Sequence, residues 1–119
     1  MRRREIAARY LAGWSSNRVR PLGAGVSGEP CWHLFPTRVA AERKAALAGW
    51  LRGHGILTGE HYPVLIPDQP AMAGVTSACF GALERARGIA EEELSLPIHP
   101  YMENSEVDTV LEVLGRWEG

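Results

Sequence analysis

Lysine is nearly missing from this chain: of thirteen basic side chains, Lys44 alone is a lysine and the other twelve are arginines. Such a balance is the mark of a GC-rich coding sequence, and it leaves one side-chain amine in the whole molecule. Cysteine is scarce too. Cys31 and Cys79 make no paired metal-binding spacing and need not form a bridge, so a reducing, cytoplasmic setting is expected. No apolar run reaches 18 residues, which excludes a membrane-spanning helix. Met1-Arg2-Arg3-Arg4-Glu5 leads into a periodic segment rather than an apolar signal core. Repeats and low-complexity tracts are absent. What remains is 119 residues, 45% hydrophobic and 23% charged, close to an average globular composition. That excludes a disordered, collagen-like or disulfide-stapled chain and predicts one domain over residues 1–119 with a real core.

The formal charge of −1 conceals a split. Residues 1–59 carry ten Arg or Lys against three Glu, and residues 60–119 carry three Arg against eleven acids, balances of +7 and −8. Halves of opposite sign suit a packing or docking surface, or cancel each other within the fold.

Apolar spacing predicts a helix over Arg3–Trp14, with Ile6, Ala7, Tyr10, Leu11 and Trp14 on one face. A Gly- and Pro-rich connection follows over 18–30, then a strand over Trp32–Val39 that Pro36 demotes to an edge or a bulge. A second helix is expected over Ala41–Arg52, with Leu47, Trp50 and Leu51 inward and Gly53 and Gly55 closing it in a left-handed cap. Leu57–Tyr62 reads as a short strand, 63–76 as an ordered loop, and Ala78–Ala90 as a helix weakened by Gly81 and Gly88. Glu93–Leu96 reads as a strand. The last helix begins at a capping box read at Ser105–Asp108 and carries the stripe Val107, Val110, Leu111, Leu114 and Trp117. The pattern is an α/β (α+β) layer domain with helices covering one face of a three- to four-stranded sheet, and right-handed crossovers wherever strands run parallel.

Several motifs have ordinary readings. Gly23-Ala24-Gly25-Val26-Ser27-Gly28 matches GxGxxG, but no strand precedes it and no helix opens at its end, so it reads as a flexible loop. His54 and His61, or Cys31 with His33 on one strand face, fall short of a four-ligand metal set, and no metal site is expected. His33 reads as a packed or edge-strand histidine, whereas His61 and His99 stand where loops gather near a ligand. No GxSxG surrounds a serine. Glu91-Glu92-Glu93 reads as a solvated helix end. Arg2, Arg3, Arg4, Arg9, Arg18 and Arg20 lack the aromatic interleaving or helix-turn-helix pattern of a nucleic-acid face, and read as solvated or protein-contacting.

Four stretches taken in order point further: Arg3-Arg4-Glu5-Ile6-Ala7-Ala8-Arg9-Tyr10, Trp32-His33-Leu34-Phe35, Gly55-Ile56-Leu57-Thr58-Gly59-Glu60-His61-Tyr62-Pro63, and Glu93-Leu94-Ser95-Leu96-Pro97-Ile98-His99-Pro100. Together they resemble the C-terminal portion of the DegT/DnrJ/StrS sugar aminotransferases, pyridoxal-phosphate enzymes of fold type I. The resemblance implies the small C-terminal domain of that fold, a sheet with antiparallel strands and helices packed on it. It implies nucleotide-linked keto sugars as substrates of a complete enzyme, built at a dimer interface and serving amino-sugar or natural-product biosynthesis. It also places His61 and Tyr62 beside the substrate.

The departures carry equal weight. Leu65 and Pro67 stand where the family has a Pro-x-His pair before Gln69-Pro70, and Arg87 aligns where it often has Glu. The large cofactor domain with its Schiff-base lysine would be absent, and Lys44, on the second helix, is no substitute. The chain by itself is therefore expected to hold no cofactor and not to transaminate. Two readings follow: a domain of a sugar aminotransferase, as a fragment or as half of a split enzyme; or a free-standing accessory protein docking on itself or on a full-length aminotransferase.

Overall fold

Helix α1 (Arg2–Gly13) buries Ile6, Ala7 and Tyr10 at the spacing read from the sequence, while Leu11 stays exposed. This computed structural model describes residues 1–23, 28, 30–75 and 81–119. Three strands, β1 (Arg20–Pro21), β2 (Phe35–Arg38) and β3 (Glu93–Leu96), form one sheet in the order β1-β2-β3. Both pairings are antiparallel, so the condition for a right-handed crossover does not arise. Helices α2 (Ala41–Gly53), α3 (Glu84–Glu92) and α4 (Asn104–Gly115) complete the main elements.

β2 is shorter than expected and occupies the middle of the sheet, not an edge. Proline is tolerated there because β1 is only two residues long. The Pro36 carbonyl accepts the Leu22 N–H at 2.8 Å, and the return bond, for which proline has no donor, lies past the end of β1. Leu57–Tyr62 forms no strand. It touches β3 at one residue, where Gly59 and Ser95 exchange both backbone bonds at 3.0 and 2.7 Å, before the chain turns away.

Alternation along β2 and β3 sorts the sheet faces. Phe35, Leu94 and Leu96 join the core with Ile6, Tyr10, Leu47, Leu51, Val107, Val110, Val113 and Leu114 from α1, α2 and α4. Thr37, on the same face, donates to the Leu94 carbonyl at 2.6 Å and so is buried without an unpaired hydroxyl. Aromatic rings concentrate at Phe35, which lies 4.8 Å from Tyr10 and 5.3 Å from Trp32. The other face carries Pro36, Arg38, Glu93 and Ser95.

The helix ends follow local chemistry. After α2, Gly55 takes φ +78°, its N–H bonds the Arg52 carbonyl, and the Ile56 N–H bonds the Leu51 carbonyl, completing a Schellman cap. The capping box of α4 starts earlier than the sequence suggests: Glu103 and Glu106 exchange the reciprocal bonds, not Ser105 and Asp108. Helix α3 begins at Glu84, six residues after the expected start, and the intervening Ala78–Phe80 lie outside the described residues. So do Cys79 and most of the GxGxxG stretch. Loop 63–75 contains 3₁₀ turns at Ile66–Asp68 and Pro70–Met72.

The oppositely charged halves meet within the fold. Arg9 grips Asp108 with two bonds of 2.7 and 2.6 Å, Arg38 pairs with Glu92, and Lys44 reaches Glu60 at 2.7 Å. Arg2 and Arg3 reach backbone carbonyls of Met102 and Ile98. No described helix is long and apolar enough to cross a membrane.

Candidate functional site

At the end of β3 the sheet opens into a cleft of about 250 Å³ lined by Arg3, His33, Gly59, His61, Ser95 and His99, among others. Three of the four histidines are thus gathered on one surface. His99 and Leu57 also border a second hollow of about 410 Å³, which runs over Ile56, Met102 and Val110 with His54 and Glu106 at its polar rim. His33 is exposed and precedes β2, so it is neither packed nor on a strand, and it shares no strand face with Cys31. Among the described residues, no cluster of three or more His, Cys, Asp or Glu could hold a metal ion.

His61 is the most constrained of the three. The 59↔95 pairing puts position 61 opposite Glu93, where a continuing ladder would bond backbone to backbone. Instead the His61 N–H donates to the Glu93 carboxylate at 2.7 Å. The other carboxylate oxygen accepts the Ser95 hydroxyl at 2.5 Å. The imidazole lies over Gly59 so closely that a Cβ there would stand 2.7 Å from its Cε1. Its Nδ1 is buried and has no hydrogen-bond partner among the described residues. The His61–Tyr62 peptide is cis, and the Tyr62 ring meets His61 edge-on at 5.4 Å while remaining 71% exposed.

Glu93 escaped the sequence reading. It is 3% exposed, not part of a solvated helix end: α3 stops at Glu92 and the chain passes directly into β3. Within the run, Glu91 is exposed and Glu92 pairs with Arg38, so three identical side chains have three environments. The available signal was alternation, since a strand over 93–96 puts Glu93 and Ser95 on one face.

Lys44 sits half-buried on α2, where its ammonium holds Glu60 and reaches the Ala90 carbonyl at 3.2 Å. Among the described residues lining the histidine cleft there is no lysine. Behind the cleft, the Tyr10 hydroxyl donates to the Pro97 carbonyl at 2.9 Å, and burial, with a smaller contribution from nearby Glu106, pushes the phenol above its ordinary range.

Comparison with known proteins gives this geometry a family. The sequence model of the DegT/DnrJ/EryC1/StrS aminotransferases matches residues 1–115. The chain belongs to that family. Among curated family members it is 37% identical to the dTDP-3-amino-3,4,6-trideoxy-alpha-D-glucose transaminase of Streptomyces venezuelae, over 98% of this chain and 30% of that enzyme. It is 34% identical to the dTDP-3-amino-3,6-dideoxy-alpha-D-galactopyranose transaminase of Aneurinibacillus thermoaerophilus, over 98% of this chain and 31% of the relative. The crystal structure of S. venezuelae DesV with a ketimine intermediate superposes with a TM-score of 0.84 at 35% identity, covering 98% of this chain and 31% of DesV. Helicobacter pylori PseC, at 21% identity, shares the fold with a TM-score of 0.81 over 95% of this chain and 31% of its own. The resemblance carried by the four motifs therefore holds, as does the fold it implied. The chain spans about a third of these family members and corresponds to their C-terminal portion.

Proposed function

We propose that this chain is the C-terminal domain of a nucleotide-sugar aminotransferase, and that the His61–Tyr62 loop forms the substrate-facing wall of that enzyme's active site. The supporting observation is the buried Nδ1 of His61, without a partner among the described residues, on a residue lining a cleft whose other polar side chains include Arg3, His33 and His99. A buried ring nitrogen without a partner is costly unless something bonds it in the working complex. The cleft's basic lining suits the anionic part of a nucleotide-linked sugar, and dTDP-linked sugars are the substrates named for the relatives above.

Transamination in this family uses pyridoxal phosphate, which supplies the electron sink on a Schiff-base lysine. The residues of this chain do not fit that group. Its one lysine is committed to Glu60 and the Ala90 carbonyl. The chain's own work is to bind and orient substrate, with chemistry supplied by a lysine-bearing cofactor domain. A second reading, docking of this chain on a full-length aminotransferase or on another copy of itself, draws support from the exposed apolar side chains Leu57, Tyr62 and Ile66 along one segment.

The decisive experiment mixes the purified chain with pyridoxal phosphate, an amino-acid donor and a dTDP-linked keto sugar, then repeats this with an added cofactor-domain polypeptide. No saturable Schiff-base absorbance without the second polypeptide, and amino-sugar formation with it, is the expected result. Turnover through Lys44 in the isolated chain overturns it. Light scattering and pull-down with an aminotransferase address the docking reading, and a strict monomer that captures none excludes it.

A further inference from the structure

We propose that Glu93 is a positioning residue that presents the His61 imidazole to the cleft; the inference rests on the substrate-facing reading of His61 given above. A carboxylate on a sheet face costs free energy to bury unless its oxygens are bonded, and an aliphatic side chain would cover the same face without that cost. Glu93 nevertheless lies 3% exposed in β3 with each oxygen committed, one to the His61 backbone N–H and the other to the Ser95 hydroxyl. Because β3 is fixed to β2 by a four-residue register, the carboxylate is tied to the most rigid part of the sheet and not to the loop it holds.

Four constraints converge on His61. Ser95 and Gly59 exchange backbone bonds two residues before His61, and Ser95 also orients the Glu93 carboxylate. Glu93 fixes the His61 backbone, and Gly59, lacking a side chain, lets the ring settle over it. Lys44 secures Glu60 between them. The chain leaves the β3 ladder at the point where the side chain of Glu93 replaces its backbone as the partner. That substitution aims the imidazole into the cleft, where a continued ladder would carry the segment on along β3.

The test compares Glu93→Leu, Glu93→Gln and Ser95→Ala in the full chain by two readouts. The first is the nuclear Overhauser contact between the His61 Hε1 and Gly59 Hα protons; the second is the dissociation constant for dTDP-glucose. Glu93→Leu keeps the buried volume without an acceptor and is expected to lose the contact and weaken binding about tenfold. Glu93→Gln keeps an oxygen for the His61 N–H and is expected to restore both nearly to the parent. Full retention of contact and affinity in Glu93→Leu overturns the proposal. Should that variant not fold, Ser95→Ala decides: a weakened contact supports the proposal, and an unchanged one overturns it. If the parent fails to bind dTDP-glucose, the substrate reading falls, while the proton contact still decides whether Glu93 positions the ring.

Discussion

The Tyr10 hydroxyl bonds the carbonyl of Pro97 across 2.9 Å, joining the last turn of α1 to the residue that follows β3. The ring is buried against Phe35, so the phenol has a fixed place and one acceptor. Tyr10→Phe removes the donor and is expected to cost about 1 kcal/mol in denaturant unfolding. The folded chain holds the phenolic proton more tightly than the unfolded chain does. This contribution is therefore complete below the unfolded value of about 10 and is lost as pH rises towards the higher folded value. An alkaline stability profile should show a fall that the Phe variant lacks.

The opposite limb belongs to Asp108. The Arg9 guanidinium holds its carboxyl below the ordinary carboxylate range, chiefly by hydrogen bonding. A lowered folded value means that the stabilisation is present above the unfolded value and disappears as pH falls through the folded one. Carboxyl titration followed by NMR should place the Asp108 midpoint below about 3.9 in the parent. In Arg9→Met the midpoint should return to the ordinary range.

Gly59→Ala probes the cleft without touching a polar group. The new Cβ would stand 2.7 Å from His61 Cε1, so the ring must move. Displacement of the His61 ring resonances and a stability loss of about 1 kcal/mol are expected in NMR spectra and urea titrations. Unchanged resonances would contradict the packing described for His61.

Gly55 tests the end of α2. At φ +78° an alanine is strained although the space around it is open. Gly55→Ala should lower unfolding free energy by about 1 kcal/mol, with the His61 resonances unmoved. The contrast with Gly59→Ala separates backbone conformation from close approach as the reason for a glycine.

Helices α1, α2 and α4 are legible because each carries an apolar stripe against one core, and β3 because Pro97 ends it. β1 is not: two residues carry no pattern, and Arg20–Pro21 becomes a strand only by pairing with β2. The Leu57–Tyr62 segment has strand-like composition, yet its pairing is limited by a side chain, Glu93, which no local pattern shows. Loop position and motif point to His61 and His99 in the sequence, and both line the cleft. His33 lines it too, and Arg3 enters it from α1, where it bonds the Ile98 carbonyl, a long-range contact that spacing cannot reveal. A run of like residues hides the burial of Glu93: the strand beginning there is legible, but three consecutive glutamates read together as a solvated helix end.

The passage from α3 into β3 without a spacer restricts how the length of this domain can vary over evolution. One residue added at that junction must either rotate the end of the helix by about 100° or slip the strand by one place. A slipped strand exchanges its faces, sending Glu93 and Ser95 inward and Leu94 and Leu96 outward. Insertions and deletions are therefore barred at Glu92–Glu93, while the exposed 3₁₀ turns at 66–72 can absorb them, and relatives should align there without gaps whatever their loops do.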